Sequence, residues 1–134
     1  METRANRVID VLVVEDESLY RDMLGRSLSQ EPGIRIVGAY GEPYGVLTDH
    51  AVLKADAAII DIELSSDLNG FELALRLRQL SPQLGIVLLS NIREEAFIAA
   101  MRRRQMTGWA YLLKRSVNDL ATLVRAIKGA VEGM

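Results

Sequence analysis

The chain has 134 residues, 49% of them hydrophobic and 25% charged, with no cysteine and a formal net charge of −2. That length and balance suit one globular domain with a sizeable core, leave no room for a second folded unit, and rule out disulfides, cysteine-ligated zinc and thiol chemistry. The near-neutral charge gives no reason to expect direct nucleic-acid binding, although acidic residues outnumber basic ones in the first 75 positions and the reverse holds afterwards, so acid chemistry is expected in the first half.

No apolar run approaches the ~20 residues of a membrane span, and the opening METRANRVID lacks the apolar stretch of a signal peptide. A cytoplasmic location without a membrane partner is therefore expected. In chain order, the first strand is predicted at Val11–Val14, a continuous apolar run of the kind that is buried on both faces of a parallel sheet. A helix follows, carrying Leu19, Met23, Leu24 and Leu28 and stopping at Pro32-Gly33. Ile34–Val37, with Arg35 inside it, reads as an edge strand. A weaker helix is predicted over 43–54, then a buried strand at Ala57–Ile60.

The next helix runs from about Asn69 to Leu80 with Leu73, Leu77 and Leu80 on one stripe, ending at Ser81-Pro82. Ile86–Leu89 is a third buried strand, 93–105 a second weak helix, and Trp109–Leu113 a second edge strand. Leu120, Leu123, Val124, Ile127 and Val131 mark the last helix, with Ser116 and Asp119 as a capping-box-like start. Five β-α units give an α/β fold, a five-stranded parallel sheet with helices on both faces. Ligands of such sheets bind beyond the carboxyl ends of the strands.

Those ends carry Glu15-Asp16-Glu17, Asp61 with Glu63, Ser90-Asn91 and Lys114-Arg115. Carboxylates crowded together need shared protons or a cation, and hard oxygen donors favour Mg²⁺. With the charge offset, a carboxylate can attack a phosphoryl group while the lysine and hydroxyl bind its oxygens. By contrast, Arg102-Arg103-Arg104 reads as a solvated helix face, and His50 has no evident partner.

VLVVEDE, AAIIDIEL, GIVLLS and GWAYLLK, in this order and spacing, resemble the strands of a response-regulator receiver domain across 1–134. The resemblance implies a flavodoxin-like strand order 2-1-3-4-5 and a switch phosphorylated by a sensor histidine kinase. Asp61 would be the phosphoacceptor, with catalytic help from Ser90 and Lys114. Glu15, Asp16, Asp61 and the backbone carbonyl of Glu63 would hold Mg²⁺, Asp16 being the preferred direct ligand of the acidic pair. Ser90 and Tyr111 would form the switch, read on the surface of the fourth helix, fifth strand and fifth helix. Such a domain is not an enzyme acting on a metabolite; it catalyses only its own phosphotransfer and dephosphorylation.

The YLLK ending, the arginines of the fourth helix and the final AIKGAVEGM resemble receivers that precede a LuxR-type helix-turn-helix domain. The expected setting is a stand-alone receiver or the N-terminal part of a longer transcription regulator whose DNA-binding output domain lies outside this chain; a homodimer is a further partner of this kind. Two features depart from the family: Ser65 stands four residues after Asp61, where proline is common, and Gly70 lies nine residues on instead of eight. The loop from Glu63 to Asn69 is therefore expected to take another shape, and Asn91, larger than the usual residue, to narrow access for small phosphodonors. The competing readings are a phosphorylation-independent pseudo-receiver and, for the Asp61-x-Glu63 pattern, an aspartate-nucleophile phosphohydrolase, for which the chain is short.

Overall fold

A computed structural model describes residues 7–93, 95–104, 106–117 and 119–133. Five strands, β1 (Ile9–Val14), β2 (Ile34–Tyr40), β3 (Ala57–Asp61), β4 (Gly85–Ser90) and β5 (Trp109–Leu113), form one sheet in the order β2-β1-β3-β4-β5. Each neighbouring pair is parallel. The helices are α1 (Ser18–Ser29), α2 (Pro43–Leu47), α3 (Gly70–Leu80), α4 (Glu95–Arg103) and α5 (Leu120–Val131), with short 3₁₀ turns at His50–Leu53 and Lys114–Ser116.

Every residue of β3 and β4 is buried, because each has a strand on both sides and helices on both faces. Alternate side chains divide between two cores. Leu12, Val14, Ile60 and Leu88 pack with Val46, Phe71 and Leu77 beneath α2 and α3, where α4 adds Phe97 and Met101. On the other face Val11, Val13, Ile59 and Leu89 meet Leu24 and Leu28 of α1 and Leu123, Val124 and Ile127 of α5. At about 25 cal/mol per Å² of apolar surface removed from water, these two layers are the main force holding the strand ends in place.

Several local expectations are corrected. Leu19 and Met23 of α1 are exposed, at 81% and 42%, since the helix rests on the sheet through Leu24 and Leu28. Leu80, the last residue of α3, is half exposed while Phe71 and Ala74 complete the helix's buried stripe. The helix predicted over 43–54 breaks at Thr48-Asp49, where Asp49 accepts from the Ala51 N–H and starts a separate 3₁₀ turn. Position 93 lies outside α4, and positions 94 and 105 lie outside the described residues. Ser116 does not cap α5; it closes the 3₁₀ turn after β5, and Asp119 caps the helix by accepting from Ala121 N–H. Strand β2 runs on to Tyr40, three residues beyond the predicted end.

Candidate functional site

Because the strands are parallel, β1, β3, β4 and β5 all end at the same edge of the sheet. Their last residues and the loops beyond them deliver Glu15, Asp16, Asp61, Ser90 and Lys114 to that edge. Carboxylate oxygens of Glu15, Asp16 and Asp61 lie within 4.8 Å of one another. Lys114 joins them, its Nζ 2.9 Å from Glu15 Oε2 and 3.4 Å from Asp61 Oδ2. The Tyr20 ring, one turn into α1, lies under that ammonium at 4.6 Å, a cation–π contact in a partly dry setting.

Charge is the organising feature here. Glu15, Asp61 and Ser90 are buried, and burial penalises the charged form of an acid. Glu15 is pushed up to about 7, first by burial, with the nearby Asp61 carboxylate adding to the effect against the pull of Lys114. Asp61 is likewise raised by burial, against Lys114 and the Glu63 N–H, which donates to its Oδ1 at 3.1 Å. Burial acts to depress Lys114, but Glu15 and Asp61 overrule it and hold the ammonium above its usual range. One lysine thus serves two buried carboxylates and is not enough for a third.

Asp16 differs. It is half-buried, and the Ser65 N–H donates to its Oδ2 at 3.0 Å. Burial opposes ionisation, yet the Ser65 hydrogen bonds hold its pKa below the ordinary value. That bond also ties down the loop from Glu63 to Asn69. It is tethered to Asp16 at one point and to α2 at another, where the Tyr44 hydroxyl donates to Asp67 at 2.8 Å. Asn69 then caps α3 in a reciprocal capping box with Glu72. Gly70 sits where a Cβ would lie 2.1 Å from the Asp61 carbonyl oxygen, so α3 can start this close to the end of β3 only on a glycine.

The remaining expected residues stand at or near the ends of β3, β4 and β5. Ser90 Oγ donates to the Ile92 carbonyl at 2.5 Å and accepts from the Ile92 N–H at 3.2 Å. The Tyr111 hydroxyl donates to the same carbonyl at 3.0 Å. The Glu63 side chain accepts from the Asn91 N–H at 2.7 Å, and Asn91 itself is exposed. Arg102, Arg103 and Arg104 are all exposed, as a solvated face requires. Sequence reasoning missed two contributors. Tyr20 carries the lysine on its ring, and Arg21 donates from Nη1 to the Glu15 carbonyl at 2.6 Å, fixing the turn after β1. Both stand within six residues of Glu15 on the first turn of α1, the one signal that could have found them.

A deep set of carboxylate oxygens, one ammonium and a buried hydroxyl on four strand ends is chemically suited to a hard divalent cation and a phosphoryl group. Comparison with known proteins agrees. The family model described as the response regulator receiver domain matches residues 11–128. A protein-glutamate methylesterase/protein-glutamine glutaminase of Vibrio vulnificus is 27% identical over 119 residues, covering 89% of this chain and 34% of the relative. A Desulfotalea psychrophila protein of the same description is 30% identical over 104 residues, 78% of this chain and 28% of its own length. The chain therefore spans about a third, or less, of the curated relatives it matches. Among solved structures, the response regulator domain of Thermotoga maritima CheB superposes with TM-score 0.75 at 26% identity, covering 94% of this chain and 98% of that one. The receiver domain of NarL from Mycobacterium tuberculosis gives 0.79 at 22% identity, covering 96% and 99%, a likeness of fold.

Proposed function

This chain belongs to the response-regulator receiver family, and from that premise we propose that it is a cytoplasmic signalling switch in which Asp61 accepts a phosphoryl group from a sensor histidine kinase. The observation that carries this reading is the convergence on Asp61: Lys114 at 3.4 Å, with Glu15 and Asp16 carboxylate oxygens inside 4.8 Å. In the transfer an Asp61 Oδ–P bond forms as the donor's N–P bond breaks. The electron pair of that bond returns to the imidazole, which leaves neutral because its other nitrogen carries a proton. Lys114 is placed to pair with a phosphoryl oxygen, and the Glu63 N–H already donates to the Asp61 carboxylate.

The donor set fits Mg²⁺. Three carboxylates stand close together with one ammonium paired to two of them, and burial, with the Asp61 charge adding to it, raises Glu15 to about 7. Glu15, Asp16 and Asp61 would supply carboxylate oxygens and Glu63 its main-chain carbonyl. When bound, the ion supplies charge neutralisation and a place for phosphoryl oxygens. The consequence for signalling is a rearrangement at Ser90 and Tyr111 that alters how a partner or an output domain is engaged on the α4, β5 and α5 surface. The curated relatives are methylesterases, whereas the RcsB structure among the neighbours is bound to a promoter, so the proposal concerns the receiver step common to both.

Intact mass after incubation with Mg²⁺ and acetyl phosphate tests it. A single phosphoryl adduct is expected on the wild type and on none of Asp61→Asn or a metal-free control. An unmodified wild type that also takes up no beryllofluoride would replace this reading with a phosphorylation-independent interaction module.

A further inference from the structure

The Glu63 carboxylate is joined to a different strand end from its own. Its Oε1 accepts from the Asn91 N–H at 2.7 Å, 28 positions along the chain, while its own N–H holds Asp61 Oδ1 at 3.1 Å. Its second oxygen, Oε2, is shielded from solvent and has no hydrogen-bond partner among the described residues. A shielded anionic oxygen with nothing donated to it is costly, so this placement is poorly explained by stability alone. It also adds a negative charge beside Asp61, whose carboxyl is raised first by burial and further by Glu63.

A phosphoryl group on Asp61 would place a dianion in the same neighbourhood. The Lys114 ammonium and the Glu63 N–H lie on Asp61 itself, while the Ser90 hydroxyl and the amide of the next residue, Asn91, follow Leu89, the residue that β4 pairs with Asp61. In the resting protein the lysine is taken by Glu15 and Asp61, the hydroxyl by the Ile92 carbonyl and the amide by Glu63. The amide's partner is a carboxylate from outside the Glu15, Asp16 and Asp61 cluster, carried on the loop two residues beyond Asp61.

We propose that the Glu63 carboxylate is an internal stand-in for the phosphoryl group, occupying the Asn91 amide in the resting state and displaced from it when Asp61 is phosphorylated. The inference rests on Asp61 being the phosphoacceptor. It makes Glu63 a positioning residue that lowers the affinity of the site for a phosphoryl-like anion and couples the loop after β3 to the loop after β4. Because an N–H can serve one strong acceptor at a time, the exchange is competitive, and the departing carboxylate carries residues 63–69 with it.

The test compares wild type, Glu63→Ala and Glu63→Gln in the presence of Mg²⁺, with beryllofluoride as the probe titrated calorimetrically and the Asn91 amide followed by ¹H–¹⁵N correlation spectra. Alanine keeps the main-chain carbonyl at 63 but frees the amide. Expected are beryllofluoride affinity about tenfold tighter for Glu63→Ala, an upfield shift of the Asn91 amide proton in that variant before any anion is added, and intermediate values for Glu63→Gln, which keeps an acceptor oxygen without charge. A wild type that binds beryllofluoride as tightly as Glu63→Ala, or an Asn91 resonance that the substitution leaves in place, overturns the inference while leaving Asp61 as acceptor. If neither protein binds beryllofluoride and neither forms the acyl phosphate, the inference and the underlying reading fall together, an outcome distinct from the first.

Discussion

Ser90 and Tyr111 donate their hydroxyls to one and the same carbonyl oxygen, that of Ile92, at 2.5 and 3.0 Å. The pairing of β4 with β5 sets Leu88 opposite Tyr111 and Ser90 opposite Leu113, so with a period of two Ser90 and Tyr111 lie on the same face of adjacent strands. A carbonyl has two lone pairs and can hold both donors. A Ser90 hydroxyl that donates to Ile92 cannot also donate to a phosphoryl oxygen, so turning it toward Asp61 would remove one of the two hydroxyl donors on that carbonyl and leave Tyr111 as the other.

Ser90→Ala removes this linkage at its origin. The adduct on Asp61 should still form, but about tenfold more slowly, the value of one hydrogen bond to a charged group. The displacement of Tyr111 resonances on beryllofluoride binding should shrink to little more than the effect of the ion itself. Tyr111 shifts of wild-type size in the variant would show that the hydroxyl of Ser90 is not the trigger.

Lys114 stands against two buried carboxylates, and its removal has opposite effects on two measurable quantities. In Lys114→Met the site becomes more negative by one charge at close range, so Mg²⁺ should bind about tenfold more tightly at neutral pH and low salt. Phosphoryl labelling should fall by about a hundredfold if, as proposed, Lys114 pairs with the transferring oxygens. Calorimetry and intact mass report the two. Unchanged or weaker Mg²⁺ binding would mean that Lys114 does not compete for Glu15 and Asp61.

Asn91 is exposed beside the end of β4, and the bulk of its side chain is expected to narrow access for small phosphodonors. Asn91→Ala should accelerate labelling by acetyl phosphate by about twofold to tenfold while retaining the amide that faces Glu63, a size effect of a few methyl-sized groups at the entrance. Equal labelling rates for the two proteins would remove bulk at 91 as a barrier.

How much of this was readable beforehand depends on what kind of signal each residue leaves. Val11–Val14, Ala57–Ile60 and Ile86–Leu89 announced themselves because a strand covered on both faces is apolar at every position, and Glu15, Asp61 and Ser90 followed as the first polar residues after such runs, with Lys114 after the edge strand Trp109–Leu113. The orientation of α1 was not readable. Leu19 and Met23 share helical spacing with Leu24 and Leu28, and only the packed sheet decides that the latter pair is inside. Nor could Ser116 be separated from Asp119 as a cap, because a 3₁₀ turn intervenes between β5 and α5. The Glu63 contact left no trace at all, since its partner is a backbone amide and any residue but proline at 91 would present one.

The titration of Glu15 gives a pH dependence of definite sign. Its pKa is raised from 4.5 to about 7, chiefly by burial, so the folded state holds a proton that the unfolded chain has lost. Its contribution to stability is thus complete below about 4.5 and disappears as pH rises through about 7. Asp61, also raised, acts in the same direction, while Asp16, held low by Ser65, acts in the opposite one and only under more acidic conditions. Metal-free protein should therefore lose thermal stability between pH 4.5 and 7, with Glu15→Gln flattening that slope. Mg²⁺ must displace the proton, so its apparent affinity should fall by up to about tenfold for each pH unit below 7. Melting curves in chelator and Mg²⁺ titrations across this range check both, and a metal-free melting temperature that rises steadily from pH 4.5 to 7 would contradict the assignment.

Gly70 connects the fold to the chemistry most directly. A Cβ there would stand 2.1 Å from the Asp61 carbonyl oxygen and 2.7 Å from the Ile62 Cα, both backbone atoms that cannot rotate away. The Gly70 N–H also donates to the Ile62 carbonyl at 3.0 Å, so the start of α3 is stapled to the residue after Asp61. Gly70→Ala must push α3 off the end of β3 or shift Asp61 itself, at a cost of about 3 kcal/mol by the standards of overpacked sites. Urea denaturation should show that loss, and labelling of the folded variant by acetyl phosphate should fall more steeply than that of Leu77→Ala, a core substitution two turns further along the same helix with a similar expected cost of about 3 kcal/mol. Two variants equally destabilised and equally labelled would mean that Asp61 tolerates displacement of its carbonyl, and that the glycine serves packing alone.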